Sequence, residues 1–300
     1  MSKGQIGFVG IGTMGWPMAR NIHEKGYSVT VYDLNPATAA RFVAEIGGKA
    51  ATSMADIARC DMVVTMLPNG FVVREVLTEA DGGAFVKGAK PGTIVIDMSS
   101  SAPTGTREIA QELAEKGIAF IDAPVSGAKP RAEDGTLTIM IGGDDAAAIE
   151  KAKPLLATMG DRLFDTGGSG TGHAAKALNN FVAAATYAAT SEAVLIARRF
   201  GLDDNTLIDI MSVSTGKSFI TDIAMKHFVL NGRFGSGFAL SLLTKDIGIA
   251  ADLGRDVGLD APVQRLVLER FRQANAALPG ADNTEAIKVW DNDLDGQTAS

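Results

Sequence analysis

Lys176 stands in the tract GTGHAAKALNN (170–180), and the next charged residue along the chain is Glu192. The tract GSGTG just before it reads as the entry to a long Ala-rich helix, which puts the lysine within roughly its first turn. There the helix dipole disfavours a cation by about 0.3–1 kcal/mol, and apolar surroundings push an amine further toward its neutral form. A lysine with an accessible neutral form can take and return protons. Asn180 lies four positions on, hence on the same helical face, where it can orient a hydroxyl or carboxylate beside the amine. The residues alone leave a second reading open, an ordinary lysine that reaches solvent or meets a carboxylate.

A second constellation opens the chain. Gly10, Gly12 and Gly15 enclose Ile11, Thr13 and Met14 in the spacing G-x-G-x-x-G, directly after the apolar run QIGFVG and at the start of a helical pattern. The first glycine permits a tight turn, the second lets a pyrophosphate approach the backbone, and the third lets helix and strand pack closely. The helix start then offers amide N–H groups to phosphate. Asp33 ends the next apolar run, 18 residues after Gly15, close to the roughly 20 expected of the acid that binds ribose hydroxyls. A carboxylate there repels a 2′-phosphate, and Leu34 rather than arginine follows it, so NAD is expected over NADP.

These groups need a scaffold. The runs at 5–10, 28–33, 61–67, 93–98 and 119–124 read as strands whose continuous apolarity suits a parallel sheet covered on both faces. Helical patterns at 14–26, 35–47 and 102–117 separate them, several ending in glycine. GTLTIMIGG (135–143) and DRLFDTGG (161–168) read as further strands. Strand signals then stop, and helices are expected over 203–213, 219–230, 238–257 and 262–277. The fold class that follows is α/β: a Rossmann-type doubly wound domain over 1–165, then an all-α domain over 166–300, joined by a long helix.

Composition limits the alternatives. A hydrophobic share of 46% with 21% charged residues fits a globular chain with a sizeable core, and a net charge of −7 argues against a nucleic-acid surface. The single cysteine, Cys60, excludes a disulfide framework, reads as a buried structural residue, and fits a cytoplasmic location. The N-terminus shows no basic segment with a cleavage site, so no signal peptide is expected. Residues 177–191 are nearly uncharged but shorter than the ~20 a membrane span needs, so a buried helix and no membrane are expected. The three histidines, His23, His173 and His227, are scattered, and no metal site is expected; for His173 a helix-start or packing role is expected. The tail DNDLDGQTAS (291–300) is the one stretch expected to lack order.

Four separated motifs resemble those of the β-hydroxyacid dehydrogenases, the family of 3-hydroxyisobutyrate dehydrogenases and short semialdehyde reductases: FVGIGTMGWPMARNI, DAPVSGAKPRAEDGTLTIMIGG, GSGTGHAAKALNN and LLTKDIGIA. They occur in order along nearly the whole chain. The resemblance implies Lys176 as general acid/base, Asn180 as a substrate-positioning partner, and Ser126 and Gly127 as the carboxylate site with Ala128 beside them. It places Lys245 near the nicotinamide with Asp246 next to it at the substrate. Met66, Leu67, Pro68 and Ser100 would line the dinucleotide. It also implies a homodimer or homotetramer and a small acidic substrate. Ala128 departs from the family's second glycine, and Lys217 offers a cation for a second acidic group, or a plain solvated one.

The expected reaction is reversible hydride transfer between NAD(H) and a small β-hydroxy acid. Reduction of tartronate, succinic or sulfolactaldehyde-type semialdehydes is the alternative within the family, and a non-catalytic dinucleotide sensor the one outside it. A decarboxylating 6-phosphogluconate dehydrogenase would need a longer helical domain, and imine reductases usually lack this lysine.

Overall fold

A computed structural model describes residues 3–297, with side chains to Asp291. The chain divides into two compact units, the first ending at Lys176 and the second running from Ala177 onward.

The first unit is built on nine strands: β1 (Gln5–Val9), β2 (Ser28–Tyr32), β3 (Lys49–Ala50), β4 (Met62–Thr65), β5 (Ile94–Asp97), β6 (Ala119–Asp122), β7 (Val125–Ser126), β8 (Leu137–Gly142) and β9 (Gly160–Gly167). Strands β3, β2, β1, β4, β5 and β6 lie side by side in that order and run parallel. Strand β8 pairs antiparallel with both β6 and β7, and β9 runs parallel to β8. Alternation sorts the side chains into two layers. Ile6, Phe8, Val64, Ile94, Ile96 and Ile121 pack on one face, Val9, Val63, Val95 and Phe120 on the other. A parallel sheet buried on both faces is the doubly wound arrangement the sequence predicts.

The expected strands and helices appear within a few residues of their expected ends, and the structure adds elements that were not expected, among them the eleven-residue helix Ala146–Leu156. Asn35 caps the helix Pro36–Glu45, its carbonyl accepting from the Ala37 amide at 3.1 Å. Residues 80–88, for which no element was expected, carry Asp81, Gly82 and Gly83 in the left-handed region before a helical turn resumes. The helix Ala128–Asp134 was also unforeseen, because Pro130 in its first turn reads equally well as a loop signal. Strands β3 and β7, two residues each, are too short for any periodicity to announce.

In the second unit the helix Thr171–Phe200 continues from the first, followed by Asp204–Val213, a wide π-type segment Ile220–Val229, Leu240–Asp256, Pro262–Ala277 and Ala286–Gln297. Tyr187, Phe271 and Trp290 form an aromatic triangle with ring centroids 5.4–6.3 Å apart. The Tyr187 hydroxyl donates to the Thr284 carbonyl at 2.6 Å, so the buried ring keeps its polar end satisfied.

Two expectations are corrected. Thr171–Phe200 is long and apolar enough to pass a membrane-span test on composition, yet it is not buried all round. Val194 and Leu195 sit in the core, while Val182, Ile196 and Phe200 are exposed. The final helix reaches Gln297, so most of the tail expected to lack order is helical; its last three residues lie outside the described residues.

Candidate active site

The glycine loop follows β1, between the carboxyl ends of β2 and β4. The Gly10 amide donates to the Tyr32 carbonyl at 2.9 Å, and the Met66 amide donates to the Val9 carbonyl at 2.9 Å. With β2 on one side of β1 and β4 on the other, the loop occupies the point where strand order reverses, the usual ligand crevice of such sheets. Gly10 has φ +90°, and a Cβ there would lie 2.4 Å from the Met66 carbonyl oxygen; one on Gly15 would lie 2.0 Å from the Gly10 carbonyl oxygen. Gly12 differs: a Cβ would meet nothing within 4 Å. No protein atom crowds Gly12, so a glycine there leaves space for something outside the chain. The helix Gly15–Glu24 begins without a side-chain cap and without an acid in its first turn. Trp16 and Met18 donate to the Gly12 and Met14 carbonyls and Pro17 has no N–H, so the Gly15 amide is the first-turn donor left for an anion. These residues fit a dinucleotide pyrophosphate.

Asp33 closes the loop from the β2 side. Its Oδ2 accepts from the Ile11 amide at 3.1 Å and Oδ1 from the Asn35 amide at 3.0 Å. Each oxygen keeps a second lone pair for a ribose hydroxyl, so the carboxylate both tethers the loop and remains able to receive a ligand. Of the other residues expected to line the dinucleotide, Thr13 is exposed and Met14 half-buried on the loop, and Pro68 is exposed after β4. The Leu67 amide donates to Ser99 Oγ at 2.9 Å, which draws the segment after β4 toward Ser100 after β5.

Ser126 ends β7, paired in register with Thr138. Gly127 has φ +141°, and a Cβ there would lie 2.8 Å from the Arg131 side chain. Ala128 sits at φ +56°, a left-handed conformation that costs a residue with a Cβ about 1–2 kcal/mol. The departure from the family's glycine therefore falls where glycine is the easier residue.

Lys176 is the sixth residue of its helix, in the second turn rather than the first. The dipole fades beyond the first turn, so it does not disfavour the ammonium form here as the expected first-turn position would. Asn180 follows one turn later on the continuous helix and is buried; its Nδ2 donates to Asp246 Oδ2 at 2.7 Å. Asp246, 2% exposed on the helix Leu240–Asp256, also faces Lys245 Nζ through Oδ1 at 3.3 Å. Asp246, expected at the substrate, thus holds Asn180 with one oxygen, while the other faces Lys245 and makes no hydrogen bond. Lys217 is exposed and lies 3.6 Å from Asp222.

Sequence reasoning passed over a buried cluster beside the helix start. Asp97 and Asp122 end β5 and β6 at 1% and 0% exposure, and His173 is fully buried between them. The signal was present: TIVID and AFID end apolar runs in aspartate as SVTVYD does. Cys60 is buried, as expected, and burial pushes its thiol up to about 11.

Comparison with known proteins covers nearly the whole chain. Residues 5–168 match the family described as the NAD binding domain of 6-phosphogluconate dehydrogenase, and 170–290 match the NAD-binding domain of NADP-dependent 3-hydroxyisobutyrate dehydrogenase. The chain is 36% identical to 2-(hydroxymethyl)glutarate dehydrogenase of Eubacterium barkeri, over 96% of its own length and 95% of that protein. It is 37% identical to mitochondrial 3-hydroxyisobutyrate dehydrogenase of Mus musculus, over 84% and 76% respectively. Among solved structures, 3-hydroxyisobutyrate dehydrogenase of Mycobacterium tuberculosis with L-serine superposes with a TM-score of 0.87 at 32% identity, covering 97% of this chain and 99% of that one. With the glycine loop, the two-unit architecture and these relatives in agreement, the chain is an NAD-binding oxidoreductase of hydroxy acids and belongs to the β-hydroxyacid dehydrogenase family.

Proposed function

We propose that Lys176 is the general acid/base of a reversible oxidation of a small hydroxy acid to its semialdehyde. The glycine loop and Asp33 would hold NAD, which would supply the hydride chemistry in both directions. The protein's own work is to hold the acid and move one proton. Lys176 Nζ accepts the hydroxyl proton on oxidation and donates it on reduction. Ser126 Oγ and the Gly127 amide receive the substrate carboxylate. Asn180 aligns the carbinol oxygen beside the lysine. Asp246 positions Asn180 through the 2.7 Å bond, and its second oxygen faces Lys245. The observation that carries the reading is Asn180: one helical turn from Lys176, its amide is locked by a buried carboxylate, as a substrate-orienting group has to be.

Asp33 supports NAD as the preferred form, since one oxygen meets the loop amide of Ile11, the other the Asn35 amide, and a 2′-phosphate there would meet negative charge. The relatives' names supply a substrate range of 3-hydroxyisobutyrate, 2-(hydroxymethyl)glutarate and L-serine-type acids. The dinucleotide unit is taken to end near residue 165, with the remainder serving substrate binding and assembly. The exposed Val182, Ile196, Phe200 and Val213 support a homo-oligomer, dimer or tetramer, and one buried cysteine supports a cytoplasmic setting.

The test is the NADH absorbance band followed with a panel of those acids and with succinic semialdehyde. NAD-linked turnover of at least one, abolished in Lys176→Ala with NADH binding retained, is the expected result. Tight NADH binding without turnover of any would overturn the proposal.

A further inference from the structure

The helix bearing Lys176 has no capping side chain of its own: its cap position is Gly170. Its first-turn amides still need partners, and the partner comes from β6, some fifty residues earlier. Asp122 Oδ1 accepts from the Gly170 amide at 2.8 Å and Oδ2 from the His173 amide at 2.9 Å. The approach is close: a Cβ on Gly142 would lie 2.7 Å from Asp122 Oδ1, and one on Gly172 would lie 2.5 Å from the Met140 carbonyl oxygen.

His173 ties the same turn to a second element. Its Nδ1 lies 2.7 Å from Thr106 Oγ1, on the helix Pro103–Ala114, and that hydroxyl is 3.1 Å from the Ala102 carbonyl. The ring's tautomer sets which of the two, hydroxyl or Nδ1, donates in that contact. The opposite nitrogen, Nε2, is buried without a hydrogen bond, 3.5 Å from Asp97 Oδ2. Asp97 is itself held by Thr65, Ser101 and the Ser99 amide. Two strand-end carboxylates and one imidazole thus surround the helix start, with Lys176 one turn beyond His173 on the same face.

We infer that Asp122 and His173 are positioning residues for Lys176, fixing the height and rotation of its helix through the first-turn backbone and through Thr106. The inference rests on Lys176 being the acid/base. A displacement of about 1 Å at a proton-transfer group costs on the order of 10²-fold in rate, so turnover registers small shifts of this turn.

The experiment compares Asp122→Asn, His173→Gln, His173→Leu and Lys176→Ala, using 3-hydroxyisobutyrate with NAD or the best acid of the panel. It records kcat, NADH affinity by fluorescence, and hydrogen exchange over residues 170–176. Asp122→Asn presents an NH2 group to one of two amide donors. Its kcat is expected to fall on the order of 10²-fold, with NADH affinity unchanged and exchange over 170–176 accelerated. His173→Leu loses about tenfold, the effect of one buried hydrogen bond. His173→Gln, which can still reach Thr106, keeps nearly parental turnover. Parental kcat in both Asp122→Asn and His173→Leu beside an inactive Lys176→Ala overturns the inference alone. So does a proportional loss of kcat and NADH affinity, which marks general loosening. Parental kcat in Lys176→Ala overturns the proposed function and the inference with it.

Discussion

Asp122 and Asp246 are both buried carboxylates next to the same long helix, and they act on it in opposite ways. Asp122 accepts from two backbone amides and so fixes where the helix begins. Asp246 accepts from the Asn180 side chain and faces the Lys245 ammonium, so it fixes the direction of one side chain. A backbone anchor governs every group that follows it along the rod; a side-chain anchor governs one rotamer. The difference predicts which kinetic constant each residue controls.

Lys176, between the two anchors in the chain, gives the largest effect. Lys176→Ala is expected to lower kcat by about 10²–10⁴-fold, the usual worth of a general acid/base, with NADH affinity intact in a fluorescence titration. A variant with near-parental kcat would leave the two anchors with nothing to position. Next comes Asp246→Asn, which keeps one oxygen for Asn180 and loses the charge facing Lys245. Steady-state kinetics should show KM for the hydroxy acid rising about tenfold, equivalent to 1.4 kcal/mol, and kcat falling far less than in Asp122→Asn. If the two variants instead share one pattern, the contrast between backbone and side-chain anchoring fails.

Asp33→Ala extends the contrast to a carboxylate that serves loop and ligand together. NADH affinity should fall about tenfold more than NADPH affinity, measured side by side. A parent protein that already prefers NADP would reverse the reading of Asp33. The smallest effect is expected at Cys60. Its raised thiol belongs to the folded form, so the stabilisation it represents is complete below the unfolded thiol's range and is lost as pH rises toward about 11. At pH 8 iodoacetamide should leave native protein unmodified and active while labelling urea-unfolded protein. Rapid inactivation of the native form would show that the thiol is reachable.

The sequence made the glycine loop legible because every requirement there is local: a turn, a close approach and a helix start within six residues. Strand–helix alternation was legible for the same reason. The start of the long helix was legible in GSGTG, but its cap was not, because that cap is a carboxylate on β6, 48 residues before Gly170. Asp97 and Asp122 looked like ordinary strand ends, and only their neighbours across the sheet give them work. Asp246 was read by its place in the Lys-Asp motif, whereas its hydrogen bond goes to a residue 66 positions away. Ala128 was noticed as a departure, but its left-handed backbone could not be seen in the letters.

The glycines at 142 and 172 give the helix start its close seat on the sheet. A Cβ at position 172 would also lie 2.8 Å from the Asp122 carbonyl oxygen, so the Met140 and Asp122 carbonyls limit how near the first turn can come. A single methyl there would press the turn away from β6 and β8 and lengthen the contacts that Asp122 makes with the Gly170 and His173 amides.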